Sequence, residues 1–228
     1  SIAFPFVATH NHFVLDRGGK VFKQTAPIIK LPEGATEDDH LALLAYLNSS
    51  TACFYIRQVC QPKHMGNASG ANATPFLVRR ELDGTKLKLL PLPPMEDLRR
   101  LLPLARELSA IGEELALPPV EALLTHRRSS PELMDELNEL IERQERLRAE
   151  GVWLQELLDW KVYELFGLAS KGSADEVWED RVALPLGARP FEVEMTRSSH
   201  ALLDEWLAWH RSSAHATFPS SLPTRVRN

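Results

Sequence analysis

Two cysteines in 228 residues are too few for a disulfide scaffold. Cys53 and Cys60 stand seven apart in one apolar stretch, which on a helix separates them by roughly 10 Å along the axis, too far to be bridged. They read as two buried thiols in a reducing compartment. No run approaches the roughly 18 continuous apolar residues of a membrane span, and no signal peptide opens the chain, so a cytoplasmic protein without a membrane partner is expected. An initiator methionine is also missing: "SIAFPFVATHNHF" starts at once in strand-like residues, as a piece of a longer protein would. Excess positive charge is absent, with a net charge of -5 and a pI near 5.9, which excludes a wholesale polyanion binder and leaves only local basic patches. Repeats and low-complexity tracts are lacking.

Catalytic signatures are missing as well. There is no G-x-S-x-G, no P-loop, no H-E-x-x-H and no C-x-x-C. Neither cysteine sits in a polar, basic setting that would favour a thiolate, and the "RGG" of residues 17–19 lacks the spacing of a dinucleotide fingerprint. His10 and His12 alternate along an extended stretch with Asp16 nearby, but a zinc site needs three or four ligands with supporting partners. No metal site is assigned, and a metal-dependent nuclease built on these three is the remotest of the readings weighed. The chain by itself is expected to catalyse nothing.

What is present divides by character. Residues 4–30 are rich in aromatic and β-branched residues and read as short strands, with Gly18 and Gly19 suited to a tight hairpin turn. Thr36 and Asp39 make a capping-box pattern ahead of a helix running to about residue 60, weakened at "NSST" (48–51), where small side chains let another element approach. Residues 61–75 read as a loop, and 76–90 as a hairpin with Asp83-Gly84 at its tip. From Met95 the pattern is helical, with a kink expected at Pro103. A second helix begins near Ser129 and carries Leu133, Leu137, Leu140, Gln144 and Leu147 at heptad spacing. These two suggest an antiparallel helical hairpin. "GVWLQELLDWKVYELFGL" reads as a further helix ending at Gly167, and the remainder as extended chain with a short helix at Trp206 and Trp209. The fold class is therefore α+β: a β-rich lobe over 1–93, helical segments over 94–168, and a small C-terminal segment over 169–228.

Basic residues outnumber acidic ones in the first 93 positions, whereas acidic residues concentrate in the helical half. Arg17, Lys20, Lys23 and Gln24 flank the first hairpin. Lys63, His64, Asn67 and Asn72 line the loop, and Arg79, Arg80, Lys86 and Lys88 mark the second hairpin. Arginine and lysine suit phosphates, while Asn, Gln and Arg suit base edges. On composition alone, a merely solvated surface accounts for them better.

Several blocks carry a resemblance. "FVATHNHFVLDRGGKVFKQTAPIIKLPEG", "LLAYLNSSTACFYIRQVC", "LDGTKLKLLPLPP" and "LQELLDWKVYELFGL" together resemble the C-terminal half of the PglX family, the adenine-specific DNA methyltransferases of BREX phage-defence systems, in its phage-growth-limitation branch. "LPLGARPFEVEM" and "LLDEWLAWH" are similar to that family's tail. A looser pattern resembles the target recognition domains of type IIG enzymes and type I specificity subunits. The resemblance implies that the S-adenosylmethionine site and an "NPPY" loop acting on a flipped adenine lie in an N-terminal half absent here; "LPLPPME" is no substitute for that loop. It implies that this part selects the site on double-stranded DNA. Partners would include the N-terminal methyltransferase domain, other BREX proteins and phage inhibitors. His10, Asn11 and His12 would either contact DNA or orient the lobe, and a block shared by readers of different sequences favours the second. Specificity would then rest with residues 61–75 and 76–90. The rival is a protein-docking module of the defence complex with no direct DNA readout.

Overall fold

The computed structural model describes residues 1–63, 78–116, 130–177, 181–220 and 222. The architecture is mixed α+β. Its strands are two-residue pairs: β1 (Ile2–Ala3), β2 (Val7–Ala8), β3 (Val14–Leu15), β4 (Ile28–Ile29) and β5 (Arg80–Glu81). β1 is central in an antiparallel sheet of order β3-β1-β4, with Ile2 opposite both Leu15 and Ile29, and β2 pairs antiparallel with β5. The first expected hairpin is thus corrected: β3 and β4 do not pair with each other but flank β1. Gly18 and Gly19 do adopt φ of +112° and +78°, a region open mainly to glycine.

Helices follow: α1 (Glu37–Leu47), α2 (Ser50–Val59), α3 (Gly84–Leu87), α4 (Met95–Leu98), a 3₁₀ turn (Arg99–Leu101), α5 (Leu102–Ala116), α6 (Ser130–Leu165), α7 (Ser173–Val177), α8 (Pro190–Arg197) and α9 (Leu203–His210). The chain divides into two compact units, residues 1–105 with 158–173, and residues 106–157 with 174–228.

In the first unit, Thr36 caps α1 as its sequence announces: its hydroxyl accepts from the Asp39 amide, and the Asp39 carboxylate accepts from the Thr36 amide. Arg99 closes on the same carboxylate at 2.7 Å. The Thr36 backbone bond, and then Arg99, hold the Asp39 carboxyl below its ordinary pKa of 3.8. The single helix expected to reach residue 60 is broken at Asn48–Ser49, and that break organises the unit. The Asn48 side chain forms a reciprocal pair with Phe13, accepting from its amide at 3.0 Å and donating to its carbonyl at 2.9 Å. Ser49 caps α2 through the Ala52 amide at 3.2 Å. Ser50 donates from its backbone N–H (2.7 Å) and hydroxyl (2.6 Å) to the carboxylate of Asp159 in α6. Asp159 is fully buried, and its negative charge stands at the amide end of α2, where the helix dipole favours it. Around this break Phe4, Phe13, Leu41, Tyr46, Ile56, Leu98, Leu158 and Val162 are buried. Tyr46 also stacks on Phe166 at 5.7 Å and donates to the Pro91 carbonyl.

The "LDGT" hairpin turn is also corrected. Asp83 accepts from the Lys86 amide at 2.9 Å and starts the one-turn helix α3. Pro103 stands in the first turn of α5, directly behind the 3₁₀ turn that interrupts the helical run.

In the second unit α5 and α6 run antiparallel: Arg143 meets Glu114 at 2.5 Å, and Gly151 faces Ile111. The two helices expected on either side of residue 150 are one continuous helix of 36 residues. It ends, as expected, at Gly167, whose φ is +68° while the Leu168 amide reaches back to the Tyr163 carbonyl. Residues 190–197, expected to be extended, form α8. Pro190 opens it, and Glu192 three residues beyond Arg189 accepts from the Arg189 amide. Arg189 in turn ion-pairs with the buried Glu156 at 2.7 Å.

Asp159→Ala leaves the Ser50 amide and hydroxyl without their charged acceptor and is expected to cost about 2–3 kcal/mol in urea unfolding; a loss under about 0.5 kcal/mol contradicts this role. Because the Asp39 pKa is lowered on folding, its contribution is complete above pH 3.8 and fades as pH falls through the folded value. Arg99→Ala should therefore reduce stability more at pH 6 than at pH 2.5; equal losses at both would contradict it.

Candidate nucleic-acid interface

Phe6 is the junction of two basic segments. Its amide donates to the Thr25 carbonyl at 3.0 Å, and its carbonyl accepts from the Leu82 amide at 2.7 Å. One segment, residues 16–25, is anchored at its start by β3 against β1 and at its end by Phe6 to Thr25 and Phe4 to Pro27. Between these anchors Lys20, Lys23 and Gln24 are exposed, and Val21 is 97% exposed. Among the described residues no ion pair holds Lys20 or Lys23. Arg17 is tied to Glu37 at 3.0 Å, an exposed pair of the sort worth about 1 kcal/mol or less.

The other segment joins the end of α2 to β5 and α3. Residues 61–63 pair with 79–81: the Lys63 amide donates to the Arg79 carbonyl at 2.8 Å, and the Glu81 amide to the Gln61 carbonyl at 3.1 Å. Lys63 ion-pairs with Glu81 at 2.7 Å and lies 5.6 Å over the Phe6 ring. Arg79 is exposed. Arg80 is tied into the lobe. Its guanidinium is half-buried and donates to the Cys60 carbonyl at 2.8 Å. Burial, and then the repulsion of Arg57, lower its pKa. Lys86 and Asp83 complete the neighbourhood of Cys60, whose thiol is pushed up chiefly by burial, the opposite of what a nucleophile needs. Arg57, which the sequence did not single out, is a further cation of this neighbourhood. Its signal was its position in the last turn of α2, where basic residues meet the negative end of the helix dipole.

In the "THNH" block Thr9, His10 and Asn11 are half-buried and His12 is exposed. Asn11 donates to the carbonyls of Leu47 (2.7 Å) and Ser49 (3.1 Å), meeting the broken end of α1. His10 bonds the Thr9 hydroxyl at 2.8 Å and packs against His12 with ring centres 4.0 Å apart. Desolvation lowers the pKa of His12 below 6.5, so near neutral pH it offers hydrogen bonds rather than charge. Among the described residues no three His, Cys, Asp or Glu side chains converge as a metal would require, and no helix is long and apolar enough to cross a membrane. His64, Asn67 and Asn72 lie outside the described residues.

Fold and surface together define a mixed α+β protein whose exposed cations rise on either side of one short strand region. In sequence, the chain is similar to the adenine-specific methyltransferase PglX of Streptomyces coelicolor (strain ATCC BAA-471 / A3(2) / M145), with 38% identity over 237 aligned positions that take in all of this chain. It spans 19% of that relative's length. No family model and no solved structure matches the chain.

Arg80→Ala should cost about 1–2 kcal/mol, since it removes a charged donor from the Cys60 carbonyl. Arg79→Ala should stay within about 0.5 kcal/mol, as exposed positions do. Thermal unfolding of the two single variants checks the contrast, and equal effects would contradict it.

Proposed function

We propose that this chain is the DNA-selecting part of an adenine-specific, S-adenosylmethionine-dependent DNA methyltransferase of the BREX type. The observation that carries the reading is the similarity to PglX, which takes in all of this chain and 19% of that relative. The basic surface supports it. In this reading Lys20, Lys23, Gln24 and Arg79 meet phosphates and base edges, with Lys63, Arg57 and Lys86 behind them. Arg17 and Arg80 brace the two segments, and Asn11 fastens the lobe. The cofactor and the reacting amine belong to a methyltransferase domain N-terminal to these residues, which acts in the cytoplasm and is one partner; duplex DNA is the other. The relation to type IIG and type I specificity domains is part of the same reading, as is contact with other BREX proteins or phage inhibitors.

A second reading has one observation in its favour. Met134 and Ile141 are exposed on α6 one heptad apart, a pattern suited to a partner helix. In that reading the chain docks a protein and the cations are solvated surface.

Duplex binding measured by fluorescence anisotropy across a salt series separates the two. Lys20→Ala with Lys23→Ala is expected to weaken binding on all sequences and to reduce the salt slope by about 2. Binding indifferent to salt and to these substitutions would remove the DNA reading.

A further inference from the structure

The second unit holds a cleft of about 920 Å³ between residues 145–150 of α6, the extended segment 181–186 and the turn that follows α9. That volume lies within the roughly 300–1,000 Å³ of small-ligand sites. Its walls are fixed. The Leu184 amide donates to the Ala149 carbonyl at 3.1 Å, and Arg181 bridges Glu107 and Glu150. Gly187, at φ +89°, lies so close to the following turn that a Cβ there would stand 1.9 Å from the Ser213 carbonyl oxygen. Only glycine lets the segment and the turn meet in this way.

The lining is of two kinds. Val182, Pro185 and Leu186 give an apolar wall, with Leu186 41% exposed. Arg146, Arg148 and Arg211 give a cationic rim, with His215 beside them, opposed by Glu145. Arg181 and Glu150 also line the cleft, and Arg181 is shared between Glu150 and Glu107, which leaves one net negative charge at that wall. The rim arginines are only loosely held: Arg146 reaches Glu142 at 3.7 Å, and Arg148 reaches the Gln144 carbonyl oxygen at 3.4 Å. Arg211 ends α9 in the left-handed conformation, φ +50°, a placement that costs a non-glycine residue some strain.

We propose that this cleft binds a free nucleoside phosphate. Arg148 and Arg211 take the phosphate, and the base lies on Val182, Pro185 and Leu186. Guanidinium pairs suit phosphate oxygens, and an apolar wall suits the face of a base. The site is independent of the duplex surface proposed for the first unit.

Titration calorimetry with adenosine 5′-monophosphate, and separately with inorganic phosphate, tests this on the full chain. The monophosphate should bind with a sub-millimolar Kd, and inorganic phosphate more weakly and in competition with it. Arg148→Ala combined with Arg211→Ala should weaken the monophosphate by about tenfold or more, and Leu186→Glu, an exposed position, should weaken it comparably. Duplex affinity should stay within about twofold in both variants. Three results would each overturn the proposal: no binding of the monophosphate at about 10 mM, unchanged binding in both variants, or a loss of duplex affinity in the double variant without monophosphate binding, which would assign the cleft to the DNA backbone.

Discussion

Where α1 stops and α2 begins, two sets of backbone groups lose their helical partners at once: carbonyls at the end of one helix and amides at the start of the next. Leu47 and Ser49 are buried there, so water is not at hand to satisfy them, and each unmet group would cost on the order of 1–3 kcal/mol. The chain answers with three side chains from three places. Asn11 donates to the carbonyls of Leu47 and Ser49, the Ser49 hydroxyl caps the Ala52 amide, and Asp159 accepts from Ser50 across 109 positions of sequence. Asn48, released from helical duty, pairs with Phe13 as a strand would. One irregular elbow thereby fixes the N-terminal strands, both helices and one stretch of α6.

That constraint sorts the polar residues of the first unit into two classes. Asn11, Asn48, Asp159 and Arg80 are consumed by backbone groups and hold the lobe in shape. Lys20, Lys23, Gln24 and Arg79 are exposed on segments whose roots are fixed. A rigid base bearing exposed cations is how a protein with net charge -5 can still meet a polyanion locally, because over a Debye length of roughly 8–10 Å the nearby charges outweigh the distant ones.

Much of this was legible in local patterns. The capping box at Thr36 and Asp39, the stop at Gly167, the irregularity at Pro103 and the antiparallel pairing of α5 with α6 each depend on residues within a turn or two, or on a simple apolar stripe. What escaped depends on distant partners or on degenerate signals. "NSST" looked merely weak as helix, since nothing near it in sequence reveals Asp159. Asp83-Gly84 suits a hairpin tip and a helix start equally, and β5 pairing with β2 rather than with a following strand decided the outcome. Gly151 suggested a boundary, yet a glycine costs only about 1 kcal/mol in a helix, which packing of α6 against α5 overrides. Arg189 is not among the usual capping residues, so α8 carried little warning beyond Pro190 and Glu192. On the candidate surface, Lys20 and Lys23 are exposed, and among the described residues no ion pair holds them. The bond from Arg80 to the Cys60 carbonyl was not legible, because it is set by tertiary pairing.

The central claim is that duplex DNA lies against the segments that flank Phe6. Photo-crosslinking of a duplex bearing photoreactive thymines, followed by mass mapping of the attached peptides, examines this directly. The account predicts attachment within residues 16–25 and 79–88. Attachment confined to residues 130–220, or none under conditions where the protein holds duplex, would contradict it.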